Sequence, residues 1–600
     1  MKMATLFAEC DKTIRMQKVC GAILILFIAM GSNACQNELD RSVFLKGPYL
    51  QNVKTDGITV MWESAKPTIG KVVFGKTKSF GNAVSETDST TVHEVVLSGL
   101  EAETVYHYHV SQGSIKSGTY TFKTAVREDS PFSFAAYGDN KNGPFMHERT
   151  TDQILAWDPD FVAHNGDLVN RGGVYKQWEK LFFSPARRLM RYKPLFPVLG
   201  NHEDNAQYYY DFFSLPDNEQ WYSFDYGNAH FIMLDSDTEE LDEGGEQLSW
   251  LIEDLEENHA TWTFVFFHHP PFTAGGNYYK KDRIYRKNLL HPVFEKYGVD
   301  MVFNGDDHNY ERTNPIMSSE GEKPVTYVVC GNGGTPMRYV GAREWTLYAE
   351  RVFGFVMIRI DGTTLFFQSI NVDGKVIDKF TLDKSDARSM ADYEQNIVFF
   401  EDIHDPIEAI EHYDAGDDLL DEEKYSEAIP AFRDAFHFDT TCVEALAGIA
   451  ECFYELGQID SAMHYAAWGS RKMPNYPDSY EVLVDAYVAL GDYERALDWC
   501  RKWLLIEPDD SGPNSQMAEI YAEQEAYDQA IQEMKNALAI VPSDADLHFE
   551  LGELYEKVGD QQAALAAYQK GLEWFMDEVE DDEVVEARKK VRKWTGSESE

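Results

Sequence analysis

A 34-residue period over the last third of the chain restricts the fold more than any other feature. Tyr425, Ile459, Tyr493, Tyr527 and Gln561 stand 34 residues apart, as do Ala428, Ala462, Ala496, Ala530 and Ala564. Pro474, Pro508 and Pro542 keep the same interval, as do Gly457 and Gly491, with Gly559 two periods on. Such a period holds two helices and their turns, with small residues where the helices cross. Each pair leaves an apolar face that only the next pair covers, so the expected product is an all-α stack over residues 406–600. The charged stretch Asp577–Trp594 would cap it.

Upstream the pattern is different. Short apolar runs repeatedly end in polar, ligand-type residues. Phe132–Tyr137 runs into Gly138-Asp139-Asn140, and Phe161–Ala163 into His164-Asn165-Gly166-Asp167. Leu195–Leu199 runs into Gly200-Asn201-His202-Glu203, Phe264–Phe267 into His268-His269-Pro270-Pro271, and Met301–Phe303 into Asn304-Gly305-Asp306-Asp307-His308. In layered α/β domains the carboxyl ends of strands meet at the site, so five such endings can converge. Helical segments between them, Gln247–Glu257 and Ile284–Tyr297, fit an α/β fold. Ahead of this region, residues 40–126 alternate with a period of two and carry turns at Asp56-Gly57, Ser98-Gly99 and Gln112-Gly113, the pattern of a β-sandwich.

The order Gly-Asp, Gly-Asp, Gly-Asn-His-Glu, His-x-Pro, Gly-x-x-His-x-Tyr-Glu-Arg resembles the calcineurin-like metallophosphoesterases and, among them, the purple acid phosphatases. Trp221–Gly227, His230–Ser236 and the Gly331-Asn332-Gly333-Gly334 turn support the likeness. The resemblance implies two packed sheets with helices outside over residues 130–383, behind a β-sandwich. Leu100, Thr104, Tyr106 and Tyr108 of that sandwich resemble the fibronectin type III pattern, in which a tyrosine hydroxyl ties a corner. The 34-residue array resembles tetratricopeptide repeats. Lys384–Asp405 shows no sustained apolar period and reads as a linker, which makes the solenoid look separable from the catalytic region.

Two metal ions about 3.5–4 Å apart can clamp a phosphoryl group. The family likeness implies that Asp167 bridges two divalent ions, that Asp139 and His308 hold the first, and that Asn201, His268 and Asp306 hold the second. Manganese, zinc, iron and magnesium are the candidate ions. His202 would serve the leaving oxygen as a catalytic acid, and Glu203 would orient the loop. Three positions depart from the family. Asn170 stands where the purple enzymes carry an iron-binding tyrosine, so no purple colour is expected. Lys141 stands where other members carry a histidine; it either meets substrate phosphate, as Asn170 also could, or is a solvated surface lysine. Asp306 replaces the first histidine of Gly-His-x-His, which hardens the site toward Mn²⁺, Mg²⁺ or Ca²⁺.

A net charge of -48 and a pI near 4.6 exclude a nucleic-acid backbone as partner. Lys12, Arg15 and Lys18 precede the apolar run Val19–Met30 and then Ala34-Cys35. The run is too short to span a bilayer and reads as an export signal, residues 1–34. Ala34-Cys35 looks like a bacterial lipoprotein cleavage site, although Ser32 is not the usual leucine. Cys35 would then anchor an exported protein to the cell envelope by lipid, its only membrane contact. Later cysteines form no Cys-x-x-Cys and read as buried apolar residues. The function expected is hydrolysis of phosphate monoesters, with the repeats docking a protein partner. The alternatives are a phosphodiesterase with the same centre, or a scaffold protein that has lost turnover. Within the enzyme reading, the loop Thr273–Asp282 offers tyrosines and lysines without a decisive pattern for substrate choice.

Overall fold

The computed structural model describes residues 43–321, 323–576 and 582–596, and no helix among them is long and apolar enough to cross a membrane. The N-terminal domain is β-rich. One sheet holds Phe44–Gln51, Gly57–Thr68 and Thr90–Ser98, and a second is built on Gly70–Gly75 and Val105–Gln112. The alternation seen in the sequence places Ile58, Val60, Trp62, Tyr106 and Tyr108 inside. The Tyr106 hydroxyl accepts from the Glu101 backbone N–H at 3.0 Å and ties that corner. The domain grips the next one through polar contacts: the Tyr49 hydroxyl donates to the Phe212 carbonyl at 2.7 Å, and Tyr175 donates to Glu63 at 2.8 Å.

Two sheets form the central α/β domain. Six strands run in the order Leu195–Pro197, Phe161–His164, Phe132–Tyr137, Gly354–Asp361, Thr364–Asn371, Val376–Asp383. Seven run in the order Tyr222–Tyr226, Ala229–Met233, Trp262–Phe266, Met301–Asn304, Thr326–Cys330, Tyr310–Thr313, Thr346–Glu350. The strands that carry the ligand-type endings are parallel to one or more neighbours, and their continuous apolar runs reflect burial on both faces. Between the sheets Phe134 meets Phe231 and Phe264 at ring separations of 5.1 and 5.2 Å, mostly edge to face. This packing fixes the register of both sheets, and therefore where each strand ends.

The C-terminal third is a run of helix pairs, from Ile407–Asp421 with Tyr425–Phe438 through Ala545–Lys557 with Gln561–Trp574. Ala428, Ala462, Ala496, Ala530 and Ala564 are fully buried, the close crossings that the period requires. A last helix spans Asp582–Thr595, while the first residues of the expected capping helix lie outside the described residues.

The stretch Lys384–Asp405 is not a free linker. Ala387–Glu394 is helical with Asp386 as its cap, and Val398–Phe399 pairs in parallel with Ile316–Met317. Phe400 stacks on His291 at 4.6 Å. Asp405 is buried between Arg283, at 2.7 Å, and Lys287. Beyond it Ile410, Phe432, Leu446 and Ile449 join Phe272, Tyr278 and Phe294 in one apolar cluster. Sequence periodicity misses such a segment because its order comes from the surface it crosses.

The solenoid is therefore built onto the α/β domain. Asp405→Ala would strand two buried cations and is expected to lower stability by about 3–5 kcal/mol in a chemical denaturation series. A loss below about 1 kcal/mol would show the pair to be incidental.

Candidate metal centre

Three of the five strand endings deliver a side chain through a backbone that ordinary residues avoid. Asp139, Asp167 and Asp306 have φ of 56°, 59° and 68°, in the left-handed region. Three aspartates held there at strand ends cost conformational energy that something at this place must offset. Close approach does the rest. A side-chain carbon on Gly200 would collide with the Asp167 carboxylate, and one on Gly305 with that of Asp139.

Glu203 braces the arrangement. Its buried carboxylate accepts from the backbone N–H of Asp167, Leu168 and Gly200 at 2.8 Å and of Val169 at 3.1 Å. One residue thus ties the Asp167 loop to the Gly200 loop, as the sequence suggested for it. The Asp139 carboxylate accepts from the Asp306 N–H at 3.1 Å, which links the first and last of the five endings.

The side chains converge as follows. Ligand atoms of Asp139, Asp167 and His268 lie within 4.8 Å of one another, and so do those of His268, His269 and Asp306. His268 Nε2 is 3.3 Å from Asp167 Oδ1 and 3.9 Å from Asp306 Oδ1. His308 Nε2 is 3.7 Å from Asp139 Oδ1. Three histidines share one device, since His268, His308 and His202 each donate from Nδ1 to a backbone carbonyl, of Asn165, Pro336 and Asn170 respectively. That commits Nδ1 and leaves Nε2 as the ring nitrogen available for chemistry.

His202 is half-buried and its backbone N–H donates to Asp167 at 3.3 Å. Asn201 is exposed in the same loop, and Asn170 contributes its carbonyl to His202. Lys141 is not a surface lysine: it is buried and its ammonium pairs with Asp167. Cys35 lies outside the described residues.

The electrostatics follow from this crowding. Burial pushes Asp139 up to about 7, with Asp167 and Asp306 adding to the shift against His268 and Lys141. Burial opposes the charging of His268, yet Asp167 and Asp139 outweigh it and raise the ring to about 10. Burial, helped by Arg338 and Lys141, holds His308 well below its ordinary range. His268 Nε2 and His308 Nε2 are buried without a hydrogen-bond partner. Crowded carboxylates with two orphaned imidazole nitrogens aimed among them are a donor set for cations, and the residues present fit divalent metal.

Sequence reasoning did not assign His269, which belongs to the second group, or Asn277, whose amide donates to Asp306 Oδ2 at 2.9 Å. His269 adjoins a candidate ligand at a strand ending, which was the available signal. Asn277 lies in the Thr273–Asp282 loop, whose first half bonds to Asp306, Asp307 and Glu311 and whose end faces the solenoid: the Tyr279 hydroxyl donates to Asp439 at 2.9 Å and Lys280 pairs with Asp417. Nothing local to the sequence marks that division.

The following likenesses bear on this geometry. Residues 133–310 match the calcineurin-like phosphoesterase family, 47–124 the purple acid phosphatase N-terminal domain, and 325–379 the iron/zinc purple acid phosphatase-like C domain. Tetratricopeptide repeat families match within 419–515 and 518–575. Acid phosphatase type 7 of Danio rerio is 26% identical over 408 residues, covering 57% of this chain and 90% of its own. Probable inactive purple acid phosphatase 24 of Arabidopsis thaliana is 25% identical, covering 52% and 62%. Among solved structures, purple acid phosphatase PPD1 of yellow lupin superposes with a TM-score of 0.49 at 21% identity over 57% of this chain and 75% of its own.

Manganese added to chelator-stripped protein is expected to raise the thermal midpoint, by an amount corresponding to about 2.7 kcal/mol at a hundredfold excess over its Kd. Asp167→Asn should abolish most of that gain, and a midpoint indifferent to Mn²⁺ in the parent would refute a cation site.

Proposed function

We propose that this chain, a calcineurin-like metallophosphoesterase with purple acid phosphatase N-terminal and C-terminal domains and a tetratricopeptide array, hydrolyses phosphate monoesters at a dinuclear divalent centre. The observation that carries the reading is the pair of partnerless, buried Nε2 atoms of His268 and His308 among the carboxylates of Asp139, Asp167 and Asp306. His268 is common to the two groups; in the family arrangement Asp167, 3.3 Å from it, would bridge, with Asp139 and His308 on one side and His268, Asp306 and Asn201 on the other. His269 is an added candidate on the second side. When bound, such a pair supplies Lewis acidity to the phosphoryl oxygens and acidifies the attacking water.

The protein's own groups do the positioning. His202, with Nδ1–H held by the Asn170 carbonyl, presents Nε2 for a proton to be given to the leaving oxygen. Lys141 offsets charge on Asp167 and stands ready to meet a phosphoryl oxygen if the carboxylate turns to metal. Asn277 steadies Asp306, whose oxygen donors favour the harder ions Mn²⁺ and Mg²⁺.

Two features favour the scaffold reading: an ammonium already pairs with the bridging carboxylate, and relatives with a name such as probable inactive purple acid phosphatase 24 exist. One assay decides. Purified protein with Mn²⁺ is expected to hydrolyse p-nitrophenyl phosphate and to hold two metal equivalents. His202→Ala should lower turnover by about 10²-fold or more with metal content unchanged. One equivalent and negligible hydrolysis in the parent would defeat the enzymatic reading.

We also propose that the protein is exported and lipid-anchored through Cys35, on the strength of the short apolar run ending at Ala34-Cys35. Cys35→Ala should shift it to the soluble fraction or block its processing; a parent protein already soluble after cell fractionation would exclude the anchor.

A further inference from the structure

The solenoid meets the catalytic domain edge-on, and the same part of every repeat does so. The turns that follow the second helix of successive pairs face the loops around the metal centre. Asp439 accepts from Tyr279, and Tyr476 packs on Tyr339 with ring centroids 6.2 Å apart. Glu507 pairs with Arg351 at 3.1 Å, and Asp509 pairs with it too. Trp574 packs on Phe145 at 5.7 Å. The periodic prolines Pro474, Pro508 and Pro542 lie in this line of turns.

Where the last repeats pass the centre, the two surfaces do not close. Two adjoining cavities of about 420 and 380 Å³ lie between them and share Asn142, Pro336, Val541 and Ser543. The smaller also reaches Asn170 and Trp574. Three of its walls belong to residues attached to the centre. Asn142 follows Lys141, which pairs with Asp167; the Asn170 carbonyl holds His202; and the Pro336 carbonyl holds His308. A group leaving toward His202 therefore departs beside this space.

The lining chemistry is selective. No lysine, arginine or histidine lines the smaller cavity among the described residues, whereas Asp544 and Asp546 do. The Asp544 carboxylate is fixed as a helix cap, accepting from the N–H of Asp546 and Leu547 at 3.0 and 3.1 Å. A second phosphate would lie against these two carboxylates, while the nearby cations stand behind the wall, Lys180 and Lys570 over the Trp574 ring at 5.1 and 5.8 Å, or in the adjoining cavity, Arg149. The amides of Asn142 and Asn170 and the hydroxyl of Ser543 offer neutral hydrogen bonds opposite the apolar surfaces of Val541 and Trp574. That mixture suits a flat ring carrying hydroxyls.

We propose that the inter-repeat turns of the solenoid form the far wall of a leaving-group subsite for the phosphate monoester of a neutral, ring-bearing alcohol, a nucleoside being the type. The inference rests on the phosphatase reading and adds to it a role for the repeats in substrate choice. The test compares kcat/KM for adenosine 5′-monophosphate, adenosine 5′-diphosphate and glycerol 3-phosphate in the full-length parent and in Ser543→Trp, which fills the space. The parent should favour the monophosphate over the diphosphate by tenfold or more. Ser543→Trp should lower kcat/KM for adenosine 5′-monophosphate at least tenfold more than for glycerol 3-phosphate, the acyclic ester reporting that the variant is folded. If Ser543→Trp does not fold, Val541→Phe is held to the same ratio. Equal losses, no loss, or a parent preference for the diphosphate would overturn the subsite. A parent that hydrolyses neither these esters nor p-nitrophenyl phosphate would instead remove the phosphatase reading beneath it.

Discussion

The candidate centre of the α/β domain depends on holding carboxylates together in a dry pocket. Asp139 and Asp167 are fully buried, with ligand atoms within 4.8 Å of one another and of His268. Two unit charges at that separation repel by roughly 3–4 kcal/mol at an effective dielectric of about 20. A fold that places them there at three left-handed backbones has to bring the compensation with it. Part is internal: Lys141 on Asp167, and His268 between the two acids. Part is the backbone that Glu203 organises. For the remainder, the residues present, with the buried Nε2 atoms of His268 and His308 among the acids, fit a divalent cation.

The same logic of charge explains the attachment of the solenoid. The chain carries a net charge of -48, and a solenoid rich in acids left free would repel the rest of it. Instead the α/β domain presents cations where the connecting segment and the repeats present acids: Arg283 and Lys287 to Asp405, Lys280 to Asp417, Arg351 to Glu507 and Asp509. The first of these is buried and orders the connecting segment, and the apolar cluster around Phe272 and Phe432 then makes the two parts continuous. The inter-repeat edge of the solenoid is thereby committed to the α/β domain.

What the sequence discloses is what adjacency and period encode. Strand endings carry ligands because a short buried strand and its next few residues form a local pattern, and five such patterns in order are legible without a fold. The 34-residue period is legible for the same reason. Residues whose meaning depends on a distant surface are not. Lys141 looked like a choice between solvent and substrate, and its partner Asp167 lies 26 residues away across a strand crossover. Lys384–Asp405 lacked a period because its order comes from Arg283, Lys287, His291 and Ile316 on another element. Tyr279 and Lys280 were unreadable as docking residues, since their partners are more than a hundred positions on.

Asp306 joins these threads. An aspartate is shorter than the histidine of the family pattern, so its usefulness depends on where its backbone starts. Its φ of 68° and the two contacts of its N–H with Asp139 bring the backbone inward, and Oδ1 comes within 3.9 Å of His268 Nε2 while Oδ2 is held by Asn277. The left-handed turn therefore recovers reach that the shorter side chain gives up. Because Asn277 belongs to the loop whose Tyr279 and Lys280 are fastened to the first repeat, the orientation of Asp306 is tied to solenoid docking. Asp306 is thus held by a loop of its own domain that is itself fastened to the first repeat.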